Sequence, residues 1–222
     1  MKIIDGIFKA EGVVANSYIV IGKDPAIIDC GMPRNARKII RAVEEAGLSP
    51  KDIRLILLTH AHLDHTGSAK EVRAITNAKL AIHELDAAYL TGEKNFALPK
   101  GIQGVMLRII QPFIIAKTKP DLLLKDGEKI GEFKVVHIPG HTEGSCAYLH
   151  ERTKSLFVGD SISTEQGFLA LPPERYNLNT ALIKQSLQKL RALNFDNLFP
   201  GHGEPIIGDA HKKVEEFLGS LA

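Results

Sequence analysis

The run Thr59-His60-Ala61-His62-Leu63-Asp64-His65-Thr66-Gly67 sets three imidazoles and a carboxylate within six residues. It directly follows an apolar segment, Ile53 to Leu58, that reads as a buried strand. His60 and His62 are two apart, so in extended backbone they project to the same side. Asp64 and His65 follow at a turn, where the chain can curl and aim them at a second point nearby. Imidazole and carboxylate are ligands of choice for zinc, iron, manganese and related divalent ions. One short loop could therefore serve two adjacent metals, but it does not supply enough donors for both. The fold has to bring the rest from elsewhere in the chain.

Three other places supply an isolated donor at the end of a strand pattern, each just after a glycine. Val135 to Ile138 runs into Pro139-Gly140-His141-Thr142; Ser155 to Val158 runs into Gly159-Asp160; Leu198 and Phe199 run into Pro200-Gly201-His202-Gly203. Glycine permits tight backbone and close approach to another group. Strand ends are where a rigid sheet meets an accessible loop. Taken singly, His141, Asp160 and His202 are ordinary turn residues; their shared context points to ligands.

The order H-x-H-x-D-H, P-G-H-T, G-D, P-G-H-G resembles the metallo-β-lactamase superfamily, over nearly the whole chain, and within it the glyoxalase II-like hydrolases. That resemblance implies an α/β (α+β) four-layer αβ/βα sandwich with ligands at one edge of the cleft. It implies that His60, His62 and His141 hold one metal, that Asp64, His65 and His202 hold a second, and that Asp160 bridges the two. Asp29, in Ile27-Ile28-Asp29-Cys30-Gly31, matches the family's early Asp-x-Gly motif and is expected to brace the ligand loop, as outer residues orient ligating imidazoles. The cofactor expected is a pair of divalent ions, zinc first, with iron or manganese as alternatives. Asp64 and Asp160 would then hold a water whose pKa the metals lower from about 16 to about 7.

Four histidines remain. His137, inside a strand pattern, reads as a hydrogen-bonded core or ligand-supporting residue. His83 starts a short helix and reads as a cap or surface residue. His150 and His211 lie in polar surroundings and read as solvated.

With 222 residues, 44% of them hydrophobic, the chain suffices for one well-packed domain. The organisation expected is a single domain, 1–222, of two similar halves, roughly 1–90 and 120–222, with an insertion near 92–119. That insertion is both apolar and basic and is expected to wall or lid the site. Helices are expected from Pro33 to Ala46, Thr66 to Ile75, Glu84 to Leu90, Asn179 to Leu193 and Asp209 to Leu218, and strands from Ile3 to Phe8, Val13 to Ile21, Ala26 to Asp29, Ile53 to Leu58, Lys79 to Ile82, Leu122 to Leu124, Lys129 to Ile138, Cys146 to His150 and Ser155 to Val158. A net charge of +2 gives no argument for nucleic acid. Two cysteines, Cys30 and Cys146, form no C-x-x-C pair and fit a reducing compartment. The early Asp5 breaks any secretory pattern, and no run reaches the ~20 apolar residues of a membrane span. The expected setting is cytoplasmic, with a small-molecule substrate, no membrane, and a homodimer as an open question.

The chemistry expected is hydrolysis of a carboxylic ester or thioester by a two-metal site. Twenty residues follow His202 (203–222), where glyoxalase II proper carries a helical glutathione-binding domain; that departure weighs against glutathione thioesters and leaves a smaller thioester or ester open. The alternatives are a mononuclear iron persulfide dioxygenase, a lactonase or phosphodiesterase/nuclease of the same superfamily, or a metal-holding nucleic-acid scaffold. Ser163 stands where lactonases of the superfamily place a tyrosine.

Overall fold

The computed structural model describes residues 1–96, 117–165 and 167–221. The first sheet holds β1 (Lys2–Ile4), β2 (Ile7–Lys9), β3 (Tyr18–Val20), β4 (Ala26–Ile28), β5 (Leu55–Leu57), β6 (Lys79–His83) and β7 (Leu122–Leu124), hydrogen-bonded in that order. Its first four strands are antiparallel and its last four parallel. The second sheet runs β14 (Asn197–Pro200), β11 (Ser155–Gly159), β10 (Cys146–His150), β9 (Phe133–His137), β8 (Lys129–Ile130). A separate hairpin, β12 (Ser163–Glu165) and β13 (Phe168–Ala170), lies between β11 and β14 in the chain.

Side-chain alternation along the strands sorts the buried residues into three cores. Ile27 of β4, Ile56 of β5 and Leu80 and Ile82 of β6 pack with Ala36, Ile39 and Val43 of α1 (Ala36–Glu45) and Val72 of α3 (Ala69–Thr76). Their strand neighbours Ala26, Ile28, Leu55, Leu57 and Ala81 face the other way and meet Phe133, Val135, Cys146, Tyr148, Phe157 and Phe199 of the second sheet. The outer face of that sheet, Val136, Ala147, Leu156, Val158 and Leu198, is covered by Ile183 of α5 (Thr180–Ser186), and by Val214 and Leu218 of α6 (Ala210–Ser220). The order is helix, sheet, sheet, helix: the four-layer sandwich expected, built because each sheet is apolar on both faces. The short helices α2 (Leu63–Thr66) and α4 (Ala87–Thr91) follow β5 and β6.

Several elements depart from the sequence expectation. The stretch Ile3 to Phe8 is two strands, because Asp5-Gly6 turns with Gly6 at φ +78°. Lys129 to Ile138 likewise splits at Gly131 (φ +55°). The helix expected from Thr66 is two pieces that meet near Gly67 and Ser68, and α5 tightens into a 3₁₀ turn, Leu187–Ala192. The hairpin β12–β13 carried no clear alternation and went unexpected. Most of the 92–119 insertion, residues 97–116, lies outside the described residues.

The topology aims the donors at one edge. β9 and β11 both run antiparallel to β10, and β11 is parallel to β14. The residues after β9, β11 and β14 therefore leave the same edge of the second sheet. The end of β5 joins them across the sandwich: Tyr148 Oη donates to Leu58 O (2.7 Å) and Cys146 N to Thr59 O (2.9 Å). Among the described residues no helix is long and apolar enough to cross a membrane.

Candidate metal centre

Two groups of donors form where these loops meet. One ligand atom from each of His60, His62 and His141 lies within 4.8 Å of the others, and the same holds for Asp64, His65, Asp160 and His202. A divalent ion with bonds near 2.0–2.2 Å fits inside such a span. Asp160 stands between the groups. Its Oδ1 is 3.1 Å from His65 Nε2, and its Oδ2 is 3.4 Å from His202 Nε2 and 3.5 Å from His141 Nε2. Nδ1 of His62 and Nε2 of His141 face each other at 2.9 Å, and His202 Nε2 is 3.2 Å from Asp64 Oδ2.

Three of the rings are fixed on their far side by a partner. His65 Nδ1–H donates to Asp29 Oδ2 (2.8 Å), and His141 Nδ1–H donates to Asn177 Oδ1 (2.9 Å). His60 Nδ1–H donates to Thr59 Oγ1 (3.1 Å), whose own hydroxyl donates to Asp29 Oδ2 (2.8 Å). These bonds set the tautomers so that Nε2 of His60, His65 and His141 turns a lone pair inward. Asp29 also accepts from Thr59 N (2.8 Å) and holds a left-handed backbone, φ +59°. A non-glycine residue in that region costs free energy and persists where the surroundings demand it.

Four buried side-chain atoms among the described residues lack a hydrogen-bond partner: His60 Nε2, His65 Nε2, Asp160 Oδ1 and His150 Nε2. Three of the four converge here. Buried polar atoms left unpaired cost about 1–3 kcal/mol each, so their convergence is the mark of a site made for a cation. The donor set, imidazoles and carboxylates without thiolate, suits zinc, iron and manganese.

Electrostatics separate the two groups. Burial drives the pKa of His62 down to about 3, with the His141 and His65 imidazoles adding to it; burial likewise lowers His60 and His141. All three are neutral at physiological pH, the form that ligates. His202 is pushed up to about 9 by hydrogen bonds to Asp160 and Asp64. Burial alone would raise the Asp160 carboxyl, but the His65, His202 and His60 imidazoles gathered around it hold it well below the usual range. Anionic carboxylates thus concentrate at the second group, where they favour a cation.

All seven donor candidates from the sequence converge, with Asp29 behind them. His137 stands apart: its Nε2–H donates to Glu143 O (2.9 Å) and its ring stacks on His83 at 4.0 Å, so it supports the loop after His141 without reaching a donor. His83 does cap a turn, accepting from Leu85 N, but it is buried, not surface. His150 is also fully buried, against Phe133, with Nδ1 bonded to Thr153 Oγ1; its charged sequence neighbours disguised an inward-facing strand position. Sequence reasoning missed Thr59 and Asn177. Thr59 adjoins the motif and could have been found; Asn177 lies 36 residues beyond His141 and carries no local signal.

The chain matches the metallo-beta-lactamase superfamily family model over residues 10–202. It is 29% identical over 203 residues to hydroxyacylglutathione hydrolase GloC of Haemophilus influenzae, spanning 89% of each chain. Among solved structures it is similar to a metallo-beta-lactamase family protein of Thermus thermophilus (24% identity, TM-score 0.71, 98% of this chain and 80% of that one). It is similar also to TTHA1623 in a di-iron-bound form (25% identity, TM-score 0.66, 90% of this chain and 93% of that one). Family match, layer order and convergent donors agree: the chain belongs to the metallo-beta-lactamase superfamily and is a metal-dependent hydrolase.

Proposed function

We propose that this protein hydrolyses carboxylic thioesters or esters with two divalent ions, and that hydroxyacyl thioesters are its first substrates to test. The observation that carries the reading is Asp160, one carboxylate within 3.5 Å of nitrogens from both donor groups. In this reading His60, His62 and His141 hold one ion, Asp64, His65 and His202 the other, and Asp160 both. Bound ions of this kind supply Lewis acidity and lower the pKa of water toward neutrality. The chain's own residues keep three imidazoles neutral, keep Asp64 and Asp160 ionised, and fix the His60, His65 and His141 rings from behind. No side-chain nucleophile is needed; Ser145 lies beneath the loop, bonded to Thr142 N and Oγ1.

The relatives support the substrate class. GloC is named for hydrolysis of a hydroxyacyl glutathione, and this chain spans 89% of its length. The expectation that glutathione thioesters require an added helical domain therefore loses its force. The di-iron form of TTHA1623 supports two-ion occupancy and leaves iron beside zinc as a metal to be tested. A lactonase reading has less support, since Ser163 Oγ donates to Ala170 O of the neighbouring strand.

The test is elemental analysis followed by a panel of thioesters, lactones, phosphodiesters and persulfides. Two ions per chain with fastest turnover on a thioester or ester is the expected result. One tightly held iron with oxygen uptake on a persulfide would replace the reading with a dioxygenase. His62→Ala and Asp160→Ala should each lose metal and lower turnover by more than about 100-fold, beyond the 10–100-fold typical of outer residues; full turnover by either overturns the assignment.

A further inference from the structure

Asp86 ends the 3₁₀ turn Glu84–Asp86 that follows β6, and its side chain is fully buried. It accepts three hydrogen bonds, all from the two loops that carry His60, His62 and His141. Oδ2 accepts from Ala61 N (2.8 Å), between His60 and His62, and from Thr142 Oγ1 (2.8 Å), beside His141. Oδ1 accepts from Gly144 N (2.7 Å). Ala61 follows β5 of the first sheet, whereas Thr142 and Gly144 follow β9 of the second. A single carboxylate thus fastens together loops from opposite sheets.

The approach is close enough to dictate its neighbour. A Cβ at Gly144 would fall 2.7–2.8 Å from Asp86 N, Cβ and Cγ, so glycine is required there. Hydrogen bonds to an ionised acceptor are short and strong, and removing the acceptor strands buried donors. Asp29 grips the other side of the motif through Thr59 and His65 and shares no partner with Asp86. Asp29 thus stands behind His65 and, through Thr59, behind His60, whereas Asp86 ties the loop of His60 and His62 to the loop of His141.

We propose that Asp86 is a positioning residue for the three-histidine group: it sets the separation of the His60/His62 loop from His141 and, through that, the affinity of this group for its ion. The inference rests on the two-ion reading above. Asp86→Asn is the sharp variant, because an amide nitrogen must face either Ala61 N or Gly144 N whichever way it turns. After dialysis against a weak chelator, wild-type protein retains two zinc ions per chain and Asp86→Asn retains one, the lost ion binding about 10–100-fold more weakly in chelator competition. Thr142→Val weakens the same step by a smaller factor, and Thr142→Ser, which keeps the hydroxyl, restores it.

Two ions held at unchanged affinity by Asp86→Asn overturns the proposal. So does equal weakening of both steps, or a Thr142→Ser variant no better than Thr142→Val. If Asp86→Asn does not fold, the two Thr142 variants decide alone. Wild-type protein that holds a single ion sinks the two-ion reading instead, and the role of Asp86 is then judged by whether the Thr142 pair shifts that ion.

Discussion

Asp160 has its room because residue 201 is glycine. A Cβ at Gly201 would collide with Asp160 Oδ1 and lie 2.7 Å from His65 Cε1. The glycine before His202 is thus demanded by space, not by an unusual backbone. Gly201→Ala is expected to fold, with a cost of about 1–3 kcal/mol from overpacking. It should displace Asp160 and reduce both turnover and bound metal at least tenfold, a geometric error of about 1 Å costing on the order of 100-fold. Thermal melts beside elemental analysis separate the two effects; unaltered metal content and turnover would show that Asp160 has room to spare.

Elements matter through the ends they present. The last residue of β6, His83, lies against His137 of β9, stacked at 4.0 Å across the two sheets. Burial, and then the His137 imidazole, push the His83 pKa down to about 4, opposed by Glu84, Asp126 and Glu128. A histidine whose pKa is lower folded than unfolded binds fewer protons in the native state. Stability therefore rises with pH between about 4 and the unfolded value near 6.5, and is lost as pH falls through that window. Between pH 7 and pH 4.5, wild-type protein should lose about 2 kcal/mol more than His83→Asn in urea denaturation. Equal losses would show that this ring does not set the slope.

Across the whole fold, the two sheets are held by one shared core and by the loops that meet at its edge. Tyr18, Phe157 and Phe199 pack within 5.5 Å of one another, and Tyr18 Oη donates to Pro200 O (2.7 Å), so the core reaches the loop carrying His202. Phe157→Ala should cost about 3–5 kcal/mol and lower Tm by roughly 6–20 °C. Ions bound between loops of opposite sheets should add to that cohesion. A chelator is expected to lower Tm by about 5–10 °C, corresponding to nearly 3 kcal/mol at a hundredfold excess of metal over Kd. A melt insensitive to chelator would mean that the loops keep their places unaided.

The donors themselves were legible in the sequence, because a histidine pair at spacing two and glycine-preceded histidines at strand ends are local facts that no folding event alters. The strand periods of β4, β5, β10 and β11 were legible for the same reason: apolar residues on both faces leave a sheet nowhere to go but between layers. What joins the loops was not. Asn177 behind His141, and Asp86 beneath Ala61 and Thr142, are polar residues with no pattern around them. Their meaning comes from partners tens of residues away. His150 was misjudged because charged sequence neighbours say little about which way a strand residue points. Linear order settled which chemistry the chain carries. Folding alone settled which buried groups hold that chemistry in place, because a hydrogen bond across two sheets depends on distances that linear spacing does not contain.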